Sequence, residues 1–330
     1  MTTLLDAPAA RKINTPAGYK ILEEAALRTL DHWDIDLFVL PKHASSPVLL
    51  KEAGMKVNEI STQRFADHSE LPILARERDH EALSRQMLGQ LDELVTDDSL
   101  PPAERFALVQ FAAAAEVEHA WKLVRPDKLV ELSDTLSTSI TTLLHGEAST
   151  PHELFNIAKH DYQTFTHVTN VACYAVLLAE AIGCTNEDEQ REIAQGGFLH
   201  DMGKRHIPGE ILRKPSRLND EERRIIQTHT QLGYEELLGR EDVTRNQLLM
   251  VYQHHEWVDG GGYPVGVKGE ELHPWSKLLA VVDVFDAMTG SRPYRKPCTP
   301  REAIEFMEEK SDVQFDKEIV QCWKAKVAAN

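Results

Sequence analysis

The chain has 330 residues, 42% hydrophobic and 27% charged, and carries a formal net charge of −17. Ordinary globular composition at this length suggests about two domains, and no run approaches the roughly 18 apolar residues of a membrane-crossing helix. A surface of this sign disfavours nucleic-acid polymers, although a local basic pocket can still hold a small anion.

The opening residues lack a charged-then-apolar export signal. The four cysteines, Cys173, Cys184, Cys298 and Cys322, form no CxxC pair. Together these features fit a reduced, cytoplasmic chain with no membrane partner.

In chain order, residues 1 to 17 read as a loose tail. From 18 to 75, the short apolar runs IDLFVLP (35–41), SPVLL (46–50) and LPILA (71–75) alternate with turn-like breaks at Pro41, Gly54 and Pro72. This is the pattern of a small mixed module with strands. Between 76 and 147 the period becomes helical: RERDHEALSRQMLGQLDELV, the breaker DDSLPP (97–102), a helix opening at Pro102, and LVELSDTLSTSITTLL ending at His145-Gly146. These helices fit either a packed connector or a dimerisation element. The small polar stretch GEASTP (146–151) marks a boundary, beyond which the chain is nearly all helix with loops at 203–219 and 257–276. The expected organisation is a mainly α protein in three parts: a mixed, regulatory module over 1–75, a helical connector over 76–147, and an all-helical domain over 148–330.

Polar residues on apolar helical faces concentrate in the last part. His167 is followed at helical spacing by Val171, Tyr174 and Leu178, so it lies on a buried stripe. Alone, such a histidine is more often a satisfied core residue than a ligand. His200 and Asp201 end an apolar turn; neighbours on a helix diverge by about 100°, so both reach one ion only if the carboxylate bridges. Asn219 and Glu222 form a capping box for a helix on which Ile225, Ile226, His229, Leu232 and Gly233 share a face, Gly233 leaving room for an approaching group. His254 and His255 border the inner face of their helix, where a frayed end is the competing reading. Asp283 sits in the apolar run KLLAVVDVFDAMTG, too buried to lack a cationic partner; Asp286, one turn on, is expected to cap or brace the adjacent loop.

Seven imidazole or carboxylate groups on five apolar faces suit a pair of divalent transition metals. Paired ions can clamp a phosphoryl centre, and the absence of thiolates among the candidates disfavours a structural zinc knuckle. The residues themselves point to metal-dependent hydrolysis.

H-D-x-G-K at 200–204, H-H-E-x-x-D-G-x-G-Y-P at 254–264 and D-V-F-D-A-M-T-x-x-R-P-Y-R at 283–295 resemble the HD-GYP proteins, a bacterial branch of the HD phosphohydrolase superfamily. The resemblance spans roughly residues 150–310 and leaves the amino-terminal half out. It implies an all-helical HD-type bundle with a two- or three-metal centre, often iron or manganese, which hydrolyses cyclic di-GMP to linear pGpG and in some members onward to GMP. Carried over by motif, the ligands are His167, His200, Asp201, His229, His254, His255 and Asp283, with Asp201 bridging. Lys204 stands by the scissile phosphate, Gly262, Tyr263 and Pro264 form the substrate loop, and Arg292 and Arg295 hold ligand phosphates. Members with a third metal carry a glutamate one turn before the first histidine; here Gln163 stands there, so two metals and pGpG as main product are expected. The alternatives are a non-catalytic cyclic-dinucleotide receptor and a hydrolase of another phosphate ester, such as a mixed cyclic dinucleotide. A homodimer and signalling-protein partners fit the connector helices.

Overall fold

A computed structural model describes residues 15–22, 34–41, 44–55, 71–122, 125–146, 164–214, 216–290 and 297–328. Arg292, Arg295 and Gln163 lie outside the described residues. The contacts divide the chain into two compact units, with the division at residue 117, so the expected connector of 76–147 is shared between them.

The first unit holds a four-stranded antiparallel sheet in the order β1-β4-β2-β3, from β1 (Tyr19–Ile21), β2 (Leu37–Val39), β3 (Val48–Lys51) and β4 (Ile73–Arg76). Three of the strands lie in the apolar runs that suggested them. The Phe38 ring anchors the sheet: the Tyr19 ring packs edge-on at 5.2 Å and the Arg76 guanidinium lies over its face at 4.9 Å. Arg76 is itself held by Asp36 Oδ2 at 3.0 Å. Then come α1 (Glu77–Gly89), α2 (Leu91–Val95) and, after the DDSLPP breaker, α3 (Pro102–Lys122). Ser84 ties α1 to α3 by donating to the Phe111 and Ala112 carbonyls at 3.0 and 2.9 Å.

The second unit is helical: α4 (Pro126–Gly146), α5 (Thr164–Ala181), α6 (Glu187–Leu199), a 3-10 turn (Met202–His206), α7 (Gly209–Leu212), α8 (Asp220–Gln227), α9 (His229–Leu237), α10 (Arg245–Gln253), α11 (Pro274–Thr289), α12 (Pro300–Glu309) and α13 (Lys317–Ala328). The loop expected over 203–219 therefore contains two short helical turns. Side-chain caps fix the helix starts. Asn219–Glu222, Thr244–Gln247 and Thr299–Glu302 form reciprocal capping boxes, and Pro274 and Pro300 occupy first-turn positions where their missing N–H costs nothing.

Helix α5 is buried on every side from His167 to Ala179, as a helix apolar all round must be. It packs against α4, α6, α11 and α13. Tyr174 of α5, Phe285 of α11 and Trp323 of α13 meet with ring centroids 5.2–6.0 Å apart, closing one end of this core. Val130 of α4 packs with Leu199, Met202, Leu237, Val243 and Val251 in another cluster, whose Leu199 and Met202 flank His200–Asp201 in sequence. Among the described residues no helix is long and apolar enough to cross a membrane.

Trp323 is fully buried, so truncation leaves a cavity that rigid neighbours cannot close. Trp323→Ala is expected to lose about 3–5 kcal/mol of stability in urea denaturation followed by circular dichroism.

Candidate metal centre

All seven candidate ligands converge. Ligand atoms of Asp201, His229, His254 and His255 form one group, and those of His167, His200 and Asp283 another, each with its atoms within 4.8 Å of one another. Every one of these side chains is buried except His255, which is half-buried.

The backbone explains how sequence neighbours can meet at one point. Helix α6 stops at Leu199. His200 keeps a helical conformation, but Asp201 turns away (φ −97°, ψ 2°) into the 3-10 turn. The 100° divergence between adjacent helical residues thus does not apply, and both side chains face the centre. Helix α10 likewise ends at Gln253, with His254 as its C-cap (φ −64°, ψ −12°) and His255 beyond it. The frayed-end reading of this pair fails, because His254 is 1% exposed.

Asp201 is the hinge of the arrangement. Its Oδ1 lies 3.4 Å from His229 Nε2 and 3.9 Å from His254 Nε2. Its Oδ2 lies 3.5 Å from His200 Nε2 and 3.7 Å from His167 Nε2. One carboxylate oxygen faces each group. On the second side, Asp283 Oδ1 is 3.1 Å from His167 Nε2 and 3.8 Å from His200 Nε2.

The imidazoles are oriented from behind. His200 donates from Nδ1 to the Gly197 carbonyl (2.6 Å), His229 to Ile226 (2.7 Å) and His254 to Val251 (2.9 Å). A carbonyl oxygen can only accept, so Nδ1 carries the proton and Nε2 keeps its lone pair toward the centre. Burial holds His229 down to about 3, reinforced by the Lys204 ammonium and opposed by Asp201. Burial also holds His255 down to about 4, opposed by Asp283. His200 and His254 are lowered by burial as well. His167 differs. Burial pulls it down, but hydrogen bonds to Asp283 and Asp286 and their charges outweigh this and raise it to about 9. Both acids stay ionised. Burial would raise Asp201, yet Lys204 and the surrounding histidines hold it well below the ordinary range; His167 and its neighbours do the same for Asp283.

Such a donor set fits divalent cations. His200 Nε2 and Asp201 Oδ1 are buried without a hydrogen-bond partner, a loss of about 1–3 kcal/mol each if nothing else binds them. His229 Nε2 and His254 Nε2 face each other at 3.2 Å with both Nδ1 atoms donating elsewhere, so two lone pairs confront one another. Two nitrogens each about 2.0–2.1 Å from one ion lie roughly this far apart. Imidazole with carboxylate is a donor mixture suited to divalent transition metals.

The HD domain family matches residues 154–319. The chain belongs to the HD domain family. It is 32% identical over 195 residues to the cyclic di-GMP phosphodiesterase response regulator RpfG of Xanthomonas campestris, covering 58% of this chain and 51% of that protein. It is 35% identical to the cyclic di-GMP phosphodiesterase PA4108 of Pseudomonas aeruginosa (54% and 42%) and 34% identical to 3'3'-cGAMP-specific phosphodiesterase 3 of Vibrio cholerae (49% and 34%). The chain thus spans about half or less of the length of these curated relatives. Among solved structures, Bd1817, a HDG"Y"P protein from Bdellovibrio bacteriovorus, shares the fold with a TM-score of 0.64 at 16% identity, over 92% of this chain and 98% of that one.

Of the remaining expected site residues, Lys204 and Tyr263 lie beside these ligands, while Arg292 and Arg295 are outside the described residues. Lys204 Nζ donates to Asp201 Oδ2 at 2.5 Å and is partly exposed. The loop after α10 folds back on its own start. A Cβ at Gly262 would come within 2.3–2.5 Å of backbone atoms of His255, Glu256 and Trp257, and Tyr263 N donates to the His255 carbonyl at 3.1 Å. Only glycine allows this approach. It sets the Tyr263 ring 4.8 Å from the His255 ring at a 31° tilt, with Pro264 next to it.

Three features differ from the sequence reading. Asp286 does not brace a loop through its side chain. It is 1% exposed and accepts from His167 Nδ1 (2.7 Å) and Asn170 Nδ2 (2.9 Å). Gly233 leaves room for backbone rather than for a ligand: its missing Cβ faces Gly203 N at 3.2 Å, and a Cβ at Gly203 would strike the His229 carbonyl. Glu256, 2% exposed and not among the expected site residues, accepts through its carboxylate from Val265 N (2.7 Å) and Gly266 N (2.9 Å), clasping the loop. An acid wedged between two histidines and a glycine loop was the available signal.

Metal analysis of protein reconstituted with Mn²⁺ is expected to find bound metal in the parent, and Asp201→Ala to lose most of it, since one carboxylate serves both groups. Glu256→Ala is expected to raise hydrogen exchange at Val265 and Gly266 at least tenfold, read by mass spectrometry, while exchange in α5 stays unchanged.

Proposed function

We propose that the chain is a metal-dependent phosphodiesterase that hydrolyses cyclic di-GMP to linear pGpG. The observation that carries this reading is the two-sided placement of Asp201, one oxygen toward His229 and His254 and the other toward His167 and His200. The names of the relatives, cyclic di-GMP and 3'3'-cGAMP phosphodiesterases, support the substrate class.

His167, His200 and Asp283 would hold one ion, and His229, His254 and His255 the other, with Asp201 shared. When bound, the ions supply Lewis acidity to the phosphoryl group and to the attacking water. The chain contributes the rest. Lone pairs fixed by the Nδ1 bonds need no reorganisation, which is how a buried site stabilises charge cheaply. Lys204, partly exposed beside Asp201, can turn its ammonium toward the phosphoryl oxygens as negative charge develops. Tyr263 offers a flat face beside the centre for a guanine, and its half-buried phenol, raised by burial and by Asp283 and Asp201, remains a hydrogen-bond donor. Arg292 and Arg295 are proposed as phosphate anchors suited to bidentate contact.

Two ions of iron or manganese, rather than three, follow from Gln163 in place of a carboxylate; pGpG, not GMP, is then the main product. The domain assignment, with 148–330 as the phosphohydrolase and the earlier residues regulatory, belongs to the same proposal, as do a homodimer and signalling partners. A cytoplasmic location is supported by four free cysteines.

Purified protein with Mn²⁺ or Fe²⁺ under reducing conditions is expected to convert cyclic di-GMP to pGpG, read by nucleotide chromatography with 3'3'-cGAMP alongside. Faster turnover of 3'3'-cGAMP would reassign the substrate, and binding without turnover would make the chain a receptor. Lys204→Met is expected to lower kcat roughly 10²–10³-fold while metal content is kept.

A further inference from the structure

Helices α5 and α11 are almost wholly apolar where they meet, yet four polar side chains interrupt the contact. His167 and Asn170 stand three residues apart on α5, and Asp283 and Asp286 three apart on α11, so each pair occupies one face of its helix. The two pairs interlock. His167 Nε2 faces Asp283 Oδ1 at 3.1 Å, His167 Nδ1 donates to Asp286 Oδ2 at 2.7 Å, and Asn170 Nδ2 donates to Asp286 Oδ1 at 2.9 Å. Asp286 is 1% and Asn170 1% exposed, so neither side chain is set up for solvent.

This differs from what stands behind three of the other four inward histidines. His200, His229 and His254 each send Nδ1 to a neutral main-chain carbonyl of their own segment. His167 sends it to a carboxylate on another helix, and that carboxylate is steadied by Asn170. A carboxylate behind an imidazole fixes the ring's orientation and makes its far nitrogen a stronger donor. It also adds a second negative charge, after Asp283, on one side of the centre only.

We propose that Asp286, braced by Asn170, is a positioning residue that sets the metal affinity of the His167–His200–Asp283 position selectively, making it the tighter of the two. The inference rests on the metal-centre reading above, but it concerns binding and not turnover. Asp286 touches no reacting atom in this assignment; it acts through His167.

The test is a Mn²⁺ titration of the metal-stripped 330-residue chain, followed by calorimetry and by metal analysis, with the melting temperature of the metal-free protein measured in parallel. The parent is expected to fill in two steps, and His167→Ala to abolish the tighter one. Asp286→Ala is expected to weaken the tighter step about 10–100-fold and leave the weaker step within about threefold. Asp286→Asn, which keeps the shape and one acceptor, is expected to recover part of the loss. Asn170→Ala is expected to weaken the same step by a smaller factor, and it carries the test if the Asp286 variants do not fold. Unchanged affinities in both the Asp286→Asn and Asn170→Ala variants would overturn the inference while leaving the metal centre standing. Equal weakening of both steps, together with a lower melting temperature, would make Asp286 merely structural and overturn it too. A parent that takes up no metal would bring down the metal-centre reading itself, and this inference with it.

Discussion

A carboxylate removed from water must find cationic or donor partners, and Asp201, 1% exposed, organises the second unit around that requirement. Burial works against its charge, while Lys204 and the imidazoles work for it, and the outcome is an ionised acid. Two unit charges 4 Å apart interact by about 4 kcal/mol at an effective dielectric of 20, so a single ammonium does not repay the desolvation of two acids and the packing of five imidazoles. Lys204 is also partly exposed and reaches only one oxygen of Asp201. The other oxygen, with the lone pairs of His200, His229 and His254, remains aimed inward. A donor set of this kind weakens the metal-free fold and gains most when a cation is present.

Bringing these donors together requires backbones closer than ordinary side chains allow, which is why glycine recurs at the elements that carry them. Gly197 of α6 has the Ala172 backbone of α5 within 2.8–3.1 Å of where its Cβ would be, fixing the crossing of the helices that carry His200 and His167. Gly203 does the same for the 3-10 turn against α9, setting Asp201 and Lys204 against His229. Gly262 folds the loop after α10 onto the His255–Trp257 backbone. At each of these sites an added methyl group displaces main chain, not a flexible side-chain tip, so the cost falls on the geometry of the centre.

Much of this was legible in the sequence because the ligands sit where local patterns are strong. His167, His229 and Asp283 interrupt apolar helical stripes, and a polar residue at a core position needs a reason. Asn219–Glu222 marked its helix start by chemistry local to four residues. What stayed hidden depends on pairing between distant segments. That Asp286 backs His167 follows from how α5 crosses α11, and nothing in DVFDAMT alone distinguishes it from a capping acid. That Gly233 admits Gly203 follows from the turn after His200. Glu256 lay in view between the histidines and the glycines, but its partners are main-chain N–H groups nine and ten residues ahead, and backbone donors leave no mark on sequence. Three of the four described strands were visible as apolar runs, and their order, β1-β4-β2-β3, was not, because pairing order is set by contacts that no short run encodes.

The place of α4 follows from the same logic of burial. The polar stretch at 146–151 is a break in composition, yet the helix before it packs with the helices after it. Val130 shares a cluster with Leu199, Met202 and Val251, which flank His200, Asp201 and His254. Beside it runs a buried polar chain: Gln195 of α6 donates to Ser133 of α4, and Gln247 of α10 donates to Gln195 at 2.8 Å while also capping its own helix. Buried polar groups tolerate little displacement, because each broken bond leaves a donor or acceptor unsatisfied. A shift of α4 would therefore be felt at both α6 and α10, the two helices whose ends present His200–Asp201 and His254–His255. The last helix of the expected connector thus packs, within the second unit, against the helices that lead to the centre.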